Sequence, residues 1–324
     1  MSSNYSCCPS SRYLPRKIQV LKSETIYLEK CKKRKNFRDV DYPGQDLGKM
    51  YADEVAEAIA KMQKEGKRPG CFIAESLQSC GGQVSFVNIP CNRQPNDHFC
   101  ALLQILPPPN YLREVYKHVR AAGGLCIADE VQVGFGRVGT HMWAFQTQGD
   151  DVVPDIVTMG KPMGNGHPVA AVVTTEEVAA SFKATGIAYF NTFGGNPVSC
   201  AIASAVMDVI EDEKLLDRAK ETGDYFIDKL KSLMDKHPII GDVRGRGMFI
   251  GIDLVKDRGT RQPHTKAAEH ALSRFREEHI LMQSDGPYEN VLKIKPPLAF
   301  SKLNADHYVE VLDLILEEIS AMPE

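Results

Sequence analysis

The sequence lacks the features that mark several classes of protein. No apolar run approaches the roughly 18 residues that a membrane-spanning helix needs. The 39 basic and 42 acidic residues leave a net charge of −3, so the positive excess of a general nucleic-acid-binding protein is missing. The nine cysteines have no disulfide-framework spacing, which favours a reducing compartment. We therefore expect no membrane partner, no nucleic-acid partner, no metal site and no secretion.

The composition is that of an ordinary globular protein. The chain has 324 residues, 43% hydrophobic and 25% charged, which is enough for about two domains. Charge is uneven, because residues 1–40 hold ten basic and three acidic residues. The cluster Lys32–Lys35 is typical of a solvated terminus, with a nuclear address or a nucleic-acid patch as the alternative. The acid-free, serine-rich start faintly resembles a transit peptide, so we expect the mitochondrial matrix or the cytosol.

Hydrophobic periodicity predicts an α/β fold. Apolar residues at helical spacing indicate helices over 49–64 and 111–122. Short, continuous apolar runs are typical of a parallel sheet that is covered on both faces. The predicted strands of this sheet are Cys71–Ala74, Leu125–Ala128, Asp155–Met159 and Val169–Thr174. After residue 199 the pattern predicts a smaller α+β part, with helices over 201–210 and 216–233, strands over 248–254 and 292–294, and a closing helix.

Three of the predicted strands end in residues with complementary chemistry. Glu75, Asp129 and Lys161 lie at or just beyond the carboxyl ends, where open α/β sheets bind their ligands. Asp129 and Lys161 have two interpretations, a structural ion pair or a pyridoxal phosphate site. That cofactor needs a lysine for its aldehyde and an acid for its ring nitrogen. Glycines around Lys161 leave room for a flat ring.

Longer motifs resolve this choice through a resemblance. Four ordered segments resemble the class III aminotransferase family, whose members use pyridoxal phosphate: Ala128–Gly139, Val153–Val157, Gly160–Lys161 and Asn191–Pro197. Within the family the chain most resembles the phospho-lyase branch, which acts on ethanolamine phosphate or phosphohydroxylysine. The segments that carry this finer resemblance are Glu75–Gly82, Gly164–Pro168 and Lys293–Pro297. The resemblance covers 46–83 and 105–320.

The resemblance implies a role for each site residue. Lys161 is expected to form the Schiff base and act as the general base, and Asp129 to pair with the ring nitrogen. Val131 is expected to pack on the ring face and Gln132 to bond the ring hydroxyl. Thr192 is expected to reach the cofactor phosphate of a neighbouring subunit, which implies a homodimer or a higher homo-oligomer. Glu75 is expected on the substrate side.

The resemblance also implies a reaction. A phospho-lyase eliminates phosphate and releases an aldehyde and ammonia, whereas a transaminase of the family transfers the amino group to a keto acid. Many aminotransferases of the family have arginine, the bidentate carboxylate binder, at the position of Lys293. A lysine there fits a substrate without an α-carboxylate. Transaminase activity and a catalytically inactive fragment stay open as alternatives.

Two segments depart from the family pattern. Residues 1–45 match nothing in the family, and the glycine- and serine-rich phosphate loop expected before position 46 is not found. Residues 84–104 interrupt the pattern as an insertion, and their ends are compatible with intron boundaries read as coding sequence. Cys91, His98 and Cys100 in the insertion lack a fourth metal ligand nearby. We expect a partial cofactor-binding domain over 46–215 and a C-terminal domain over 216–324.

The remaining motifs favour structural roles. Gly245–Gly251 resembles a dinucleotide-binding fingerprint, but a strand is predicted after it where that fingerprint needs a helix. His167 precedes Pro168 in a predicted turn, where a structural role is favoured over a catalytic one. Cys80, Cys126 and Cys200 are interpreted as small buried hydrophobic residues.

Overall fold

The structure is a computed structural model that describes residues 18–22, 46–78, 83–84, 104–286 and 288–322. Its described strands are numbered along the chain: β1 Ile18–Lys22, β2 Arg68–Glu75, β3 Gln83–Val84, β4 Gln104–Ile105, β5 Leu125–Asp129, β6 Ile156–Met159, β7 Ala171–Thr174, β8 Ile240–Arg246, β9 Phe249–Leu254, β10 Gln283–Asp285 and β11 Val291–Ile294. The described α-helices are α1 Leu47–Lys64, α2 Tyr111–Ala121, α3 Glu176–Ala184, α4 Pro197–Asp212, α5 Leu215–Lys236, α6 Thr265–Glu277 and α7 Lys302–Ala321.

A five-stranded, mostly parallel sheet carries the first part of the chain. Its order is β1-β2-β5-β6-β7, and only the β6–β7 pair is antiparallel. The strands predicted over 71–74, 125–128, 155–159 and 169–174 therefore exist and are neighbours. Phe72, Ala74, Cys126 and Ala128 are buried in one core with α1 and α2, whereas the residues between them are half-buried and β7 is largely exposed. The expectation of a sheet covered on both faces is therefore met on one face only.

The N-terminal segment adds an edge strand to this sheet. Ile18–Lys22 forms β1 and pairs in parallel with β2, in a segment where the sequence predicted no strand. The cluster Lys32–Lys35 lies outside the described residues, as do Cys80, Cys91, His98 and Cys100. Of the other two cysteines that were expected to be buried, Cys126 is buried, but Cys200 is exposed, so that expectation is wrong for Cys200.

A second sheet follows residue 239. It is antiparallel, in the order β10-β11-β9-β8. The apolar faces of α5, α6 and α7 cover one side of it, with Phe226, Phe275 and Leu312 among the fully buried side chains. The predicted α+β pattern is confirmed, although β8, β10 and α6 were not predicted individually.

The glycine-rich segment Gly245–Gly251 contains the tight turn between β8 and β9. Gly247 has a φ of +55°, which favours glycine, and a strand follows it. The rejection of a dinucleotide fingerprint is therefore confirmed. Among the described helices, none has the length and the apolar composition that crossing a membrane requires.

Candidate functional site

The carboxyl ends of three neighbouring strands, β2, β5 and β6, lie side by side at one end of the parallel sheet. Glu75 is the register partner of Asp129, and Asp129 is the register partner of Thr158 on β6. Lys161 follows β6 after Gly160. Glu75 and Asp129 therefore stand side by side at neighbouring strand ends, and Lys161 follows two residues beyond the end of β6.

Asp129 is partly buried at the end of β5. Its Oδ1 accepts a hydrogen bond from the backbone N–H of Val131 at 3.0 Å, which fixes the turn that leaves the strand. Val131 also flanks Gly160, since a Cβ built on that glycine would lie 3.6 Å from Val131 Cγ1. Asp129, Val131 and the start of the Lys161 turn thus pack together.

The neighbouring acid, Glu130, has a different role. It is fully buried, and its two carboxylate oxygens accept hydrogen bonds of 2.9 Å from the backbone N–H groups of Ala144 and Phe145. These N–H groups begin the 3-10 helix Ala144–Gln148. Burial raises the pKa of Glu130 to about 7, and the charge of Asp129 adds to the rise. The sequence did not predict the buried role of Glu130, because two successive acidic residues carry no signal that shows which of them is buried.

Lys161 begins a 3-10 helix, Lys161–Gly164, and its side chain is exposed. The lysine lies in the wall of a cavity of about 830 Å³. The polar and charged groups in that wall are Gln132, Arg137, Lys161, Asn165, Glu213 and Lys295. Helix α4 supplies an apolar wall through Ile202, Ala205, Val206, Val209 and Ile210. Of the predicted site residues, Gln132 and Lys161 line this cavity, while Glu75, Asp129, Val131 and Thr192 are not in its described wall.

Two basic residues in the cavity wall belong to segments that resemble the family, but the resemblance assigns them no role. Arg137 Nη1 donates to the carbonyl oxygens of Met248 at 3.1 Å and Pro296 at 2.8 Å, and burial lowers its pKa to about 10. Lys295 Nζ donates to Gln132 Oε1 at 2.8 Å and lies 5.5 Å from the centre of the Phe249 ring. These hydrogen bonds span more than a hundred residues of sequence, so no local pattern signals them.

Lys293 does not line the cavity. Its Nζ lies 2.5 Å from Asp285 Oδ2, and both side chains are largely buried. Many aminotransferases of the family have arginine at the position of Lys293. In this chain the charge of Lys293 is matched by the carboxylate of Asp285 on the adjacent strand β10. The cation that reaches the cavity from this segment is Lys295.

Thr192 lies in an exposed turn before α4. The turn is held by Asn191, whose Oδ1 accepts hydrogen bonds from the backbone N–H groups of Phe193 at 3.1 Å and Gly194 at 3.0 Å. The flanking aromatic residues Phe190 and Phe193 are 84% and 81% exposed. The structure therefore separates Thr192 from the cavity of its own chain and places it on the surface.

Comparison with known proteins identifies the family. The family described as aminotransferase class-III matches residues 104–316. The chain belongs to the class III aminotransferase family. A Drosophila melanogaster protein named alanine–glyoxylate aminotransferase 2-like is 51% identical over 287 residues, covering 87% of this chain and 53% of that protein. A Caenorhabditis elegans protein named ethanolamine-phosphate phospho-lyase homolog 1 is 45% identical over 270 residues, covering 83% and 53%.

Solved structures of the family have the same fold. A phospholyase from Arthrobacter in complex with phosphoethanolamine superimposes with a TM-score of 0.74 at 38% identity, covering 88% of this chain and 60% of that one. A Bacillus anthracis aminotransferase superimposes with a TM-score of 0.72 at 28% identity. The expected pyridoxal-phosphate transferase fold is confirmed. This class III chain spans about half the length of the curated relatives that it matches.

The grouped residues fit the family's cofactor, pyridoxal phosphate. The site offers the groups that this cofactor needs. They are an exposed lysine amine, a carboxylate at the adjacent strand end, an aliphatic side chain beside the lysine turn and an amide that lines the cavity. Lys161, Asp129, Val131 and Gln132 are the residues that would hold the group. Within the described residues, no cluster of histidine, cysteine and acidic side chains forms a metal site.

Proposed function

We propose that this chain is a pyridoxal-phosphate-dependent phospho-lyase that eliminates phosphate from ethanolamine phosphate or phosphohydroxylysine. The observation that carries the proposal is the pairing of β5 with β6, which brings Asp129 beside the turn that begins at Lys161. The choice of phospho-lyase is supported by the 38% identity to the phosphoethanolamine-bound phospholyase, which exceeds the 24–28% identity to several solved transaminases. With ethanolamine phosphate and water, the products are acetaldehyde, ammonia and inorganic phosphate.

Each residue has a defined task in this proposal. When bound, pyridoxal phosphate supplies an aldehyde for amines and a protonated ring that accepts electrons. Asp129 holds the proton on the ring nitrogen, because an ionised carboxylate stabilises the neighbouring positive charge. The Lys161 amine is the general base that takes the proton from the substrate carbon next to the amine. Glu75, at the adjacent strand end, is assigned to the substrate side.

The decisive experiment measures products with the purified full chain. After incubation with pyridoxal phosphate and ethanolamine phosphate, we expect acetaldehyde and phosphate in equal amounts. Lys161→Ala should abolish both, and Lys231→Ala, which removes an exposed lysine that is not part of the cavity wall, should change neither. Bound cofactor without phosphate release from either ethanolamine phosphate or phosphohydroxylysine would contradict the phospho-lyase proposal.

A second candidate is transamination, which the name of the 51%-identical Drosophila relative favours. The same preparation is supplied with L-alanine and glyoxylate, and glycine and pyruvate are measured. Amino-group transfer without phosphate release from ethanolamine phosphate would establish this alternative. The third candidate is a catalytically inactive fragment, because the chain spans about half the length of these relatives. A chain with neither activity would establish it.

We also propose that the chain functions as a homodimer through the surface around Thr192. Large apolar side chains between residues 172 and 209 are exposed, and the most exposed are Val172, Tyr189, Phe190, Phe193 and Val198. An apolar patch of this kind is typical of a subunit interface. Light scattering after gel filtration should give twice the chain mass, and Phe190→Ser with Phe193→Ser should give the monomer. A monomeric parent chain would contradict the proposal.

The domain division and the compartment are further proposals. The division into 46–215 and 216–324 is supported by the separate sheets, and limited proteolysis near residue 215 should release two resistant fragments. The human and Arabidopsis thaliana relatives carry names that include the word mitochondrial. We assign this chain to the mitochondrial matrix or the cytosol, and fractionation of cells with an antibody to the chain distinguishes them.

A further inference from the structure

Two distant segments are joined beside the Lys161 cavity. Lys295, which follows β11, donates to Gln132, which follows β5, although the two residues are 163 positions apart. A second bond runs parallel, from Arg137 Nη1 to the carbonyl oxygen of Pro296. The segment that carries Gln132 is therefore held to the end of β11 at two points, one through a side-chain amide and one through the backbone.

The chemistry of the pair fixes which end of the amide faces Lys295. An ammonium group has three donors and no acceptor, so it bonds the carbonyl oxygen of glutamine and repels the NH2 group. The last torsion of a glutamine side chain is broad and roughly two-fold, so the amide has little orientational preference of its own. The contact with Lys295 removes this ambiguity and makes Nε2 the end that is turned away from the lysine.

We propose that Lys295 is a positioning residue for Gln132 and turns its NH2 group toward the ring hydroxyl oxygen of the cofactor. This inference rests on the proposed function, because it needs pyridoxal phosphate beside Lys161. The ionised ring oxygen is an acceptor only, so it is stabilised by an N–H donor and destabilised by a carbonyl oxygen. Lys295 therefore determines whether Gln132 helps or hinders binding of the cofactor.

Lys293 provides a matched comparison on the same strand end. It is two residues from Lys295, carries the same charge and bonds Asp285 outside the cavity wall. A general effect of positive charge or of strand stability predicts similar consequences for both lysines. If Lys295 acts by orienting Gln132, only the effect of substituting Lys295 should depend on whether Gln132 is present.

The test is a double-mutant cycle on the dissociation constant of pyridoxal phosphate, measured by equilibrium dialysis with the full chain. Lys295→Met should weaken binding about 5–10-fold when Gln132 is present and less than about 2-fold in Gln132→Ala. Lys293→Met should have the same effect in both backgrounds. Lys295→Arg, another residue with donors only, should retain nearly the parent affinity, and it keeps the test valid where the methionine variant does not fold.

A spectroscopic readout separates positioning from a purely structural role. Loss of a positive charge and of an oriented donor favours the protonated form of the bound cofactor, so Lys295→Met should raise the pH midpoint of its visible absorbance. Lys295→Arg should leave the midpoint near the parent value. Equal effects of Lys295→Met with and without Gln132 would overturn this inference and leave the proposed function intact. A parent chain that binds no pyridoxal phosphate would overturn both.

Discussion

His167 and Ser199 are joined by a 2.8 Å contact between Nε2 and Oγ that ties the turn after Lys161 to the start of α4. Asn196 supports the contact, because its side chain donates to Ser199 Oγ at 2.9 Å and accepts from the Ser199 backbone N–H at 2.9 Å. His167 therefore holds a structural bond in this conformation, in agreement with the interpretation from its sequence context. The Lys161 turn is anchored from outside its own strand.

The first prediction concerns this anchor. His167→Ala and Ser199→Ala should each lower the free energy of unfolding by about 1 kcal/mol, and the double variant should lose little more than either single one. Urea unfolding of the four proteins measures this coupling. His141→Ala is the control, since His141 contacts only the adjacent Thr140 through a described side-chain bond, and its loss should be within about 0.5 kcal/mol. Additive losses at 167 and 199 would contradict the role of the contact.

The second prediction concerns Glu130 and pH. The pKa of this carboxyl rises from 4.5 to about 7 on folding, so between these values the folded chain binds a proton that the unfolded chain has lost. The stabilisation is complete below pH 4.5 and is lost as pH rises through 7, an effect of about 3 kcal/mol. Denaturant unfolding at pH 5 and pH 8 measures it.

Glu130→Gln is the matched variant for that experiment. It removes the titration and disturbs one of the two amide contacts at Ala144 and Phe145, so it should be less stable than the parent at pH 5. Its loss of stability between pH 5 and pH 8 should be smaller than that of the parent. Because burial also raises the pKa of Asp253, the difference between the two proteins, rather than either slope, isolates Glu130. Equal slopes would contradict an ionisable buried Glu130.

The third prediction separates backbone strain from close packing at two glycines. Gly66 and Gly247 have φ values of +69° and +55°, but only Gly247 is crowded, since an added Cβ would lie 2.5 Å from the Arg137 carbonyl oxygen. Gly66→Ala should cost about 1 kcal/mol of stability, whereas Gly247→Ala should cost about 3 kcal/mol or more. Thermal unfolding with calorimetry provides the comparison. Similar losses at both positions would mean that the β8–β9 turn relaxes away from Arg137.

Elements with strong local signals could be predicted from the sequence. The strands β2 and β5 are continuous apolar runs, and α1 has a regular apolar stripe, so their place in the core follows from pattern alone. Helix α3 escaped prediction because it buries no residue in the described structure and so has no core-facing stripe. Strand β8 escaped because Gly241 and Gly245 interrupt its apolar pattern. Strand β8 is determined by its pairing with β9, whereas α3 has local features such as the Thr175 N-cap.

The site divides in the same way. Asp129 and Lys161 could be predicted because they stand at strand ends, and the geometry of parallel strands brings such positions together. Arg137 and Lys295 could not, because their partners lie 111 to 163 residues away and depend on how the second sheet meets the first. Sequence patterns therefore identified the residues expected to contact the cofactor, and tertiary contacts identified those that position them.

The last prediction concerns the insertion at 84–104. Its ends lie side by side, because Gln83 pairs with Gln104 and Val84 with Ile105 in the parallel pair β3–β4. Neighbouring strands are about 4.8 Å apart and successive Cα atoms about 3.8 Å, so joining Gln83 to Ile105 after deletion of 84–104 needs only a small local shift.

The deletion should keep the core intact, because Leu106, which packs against Leu77 and Phe249, remains in place. We expect the free energy of unfolding to change by about 1 kcal/mol or less and the dissociation constant of pyridoxal phosphate to stay within about 2-fold of the parent value. The control deletes 125–129, which removes β5 from the centre of the parallel sheet and should abolish folding. If the 84–104 deletion also unfolds the chain, the segment is a structural part of the fold, because loss of a tolerated insertion cannot remove core stability.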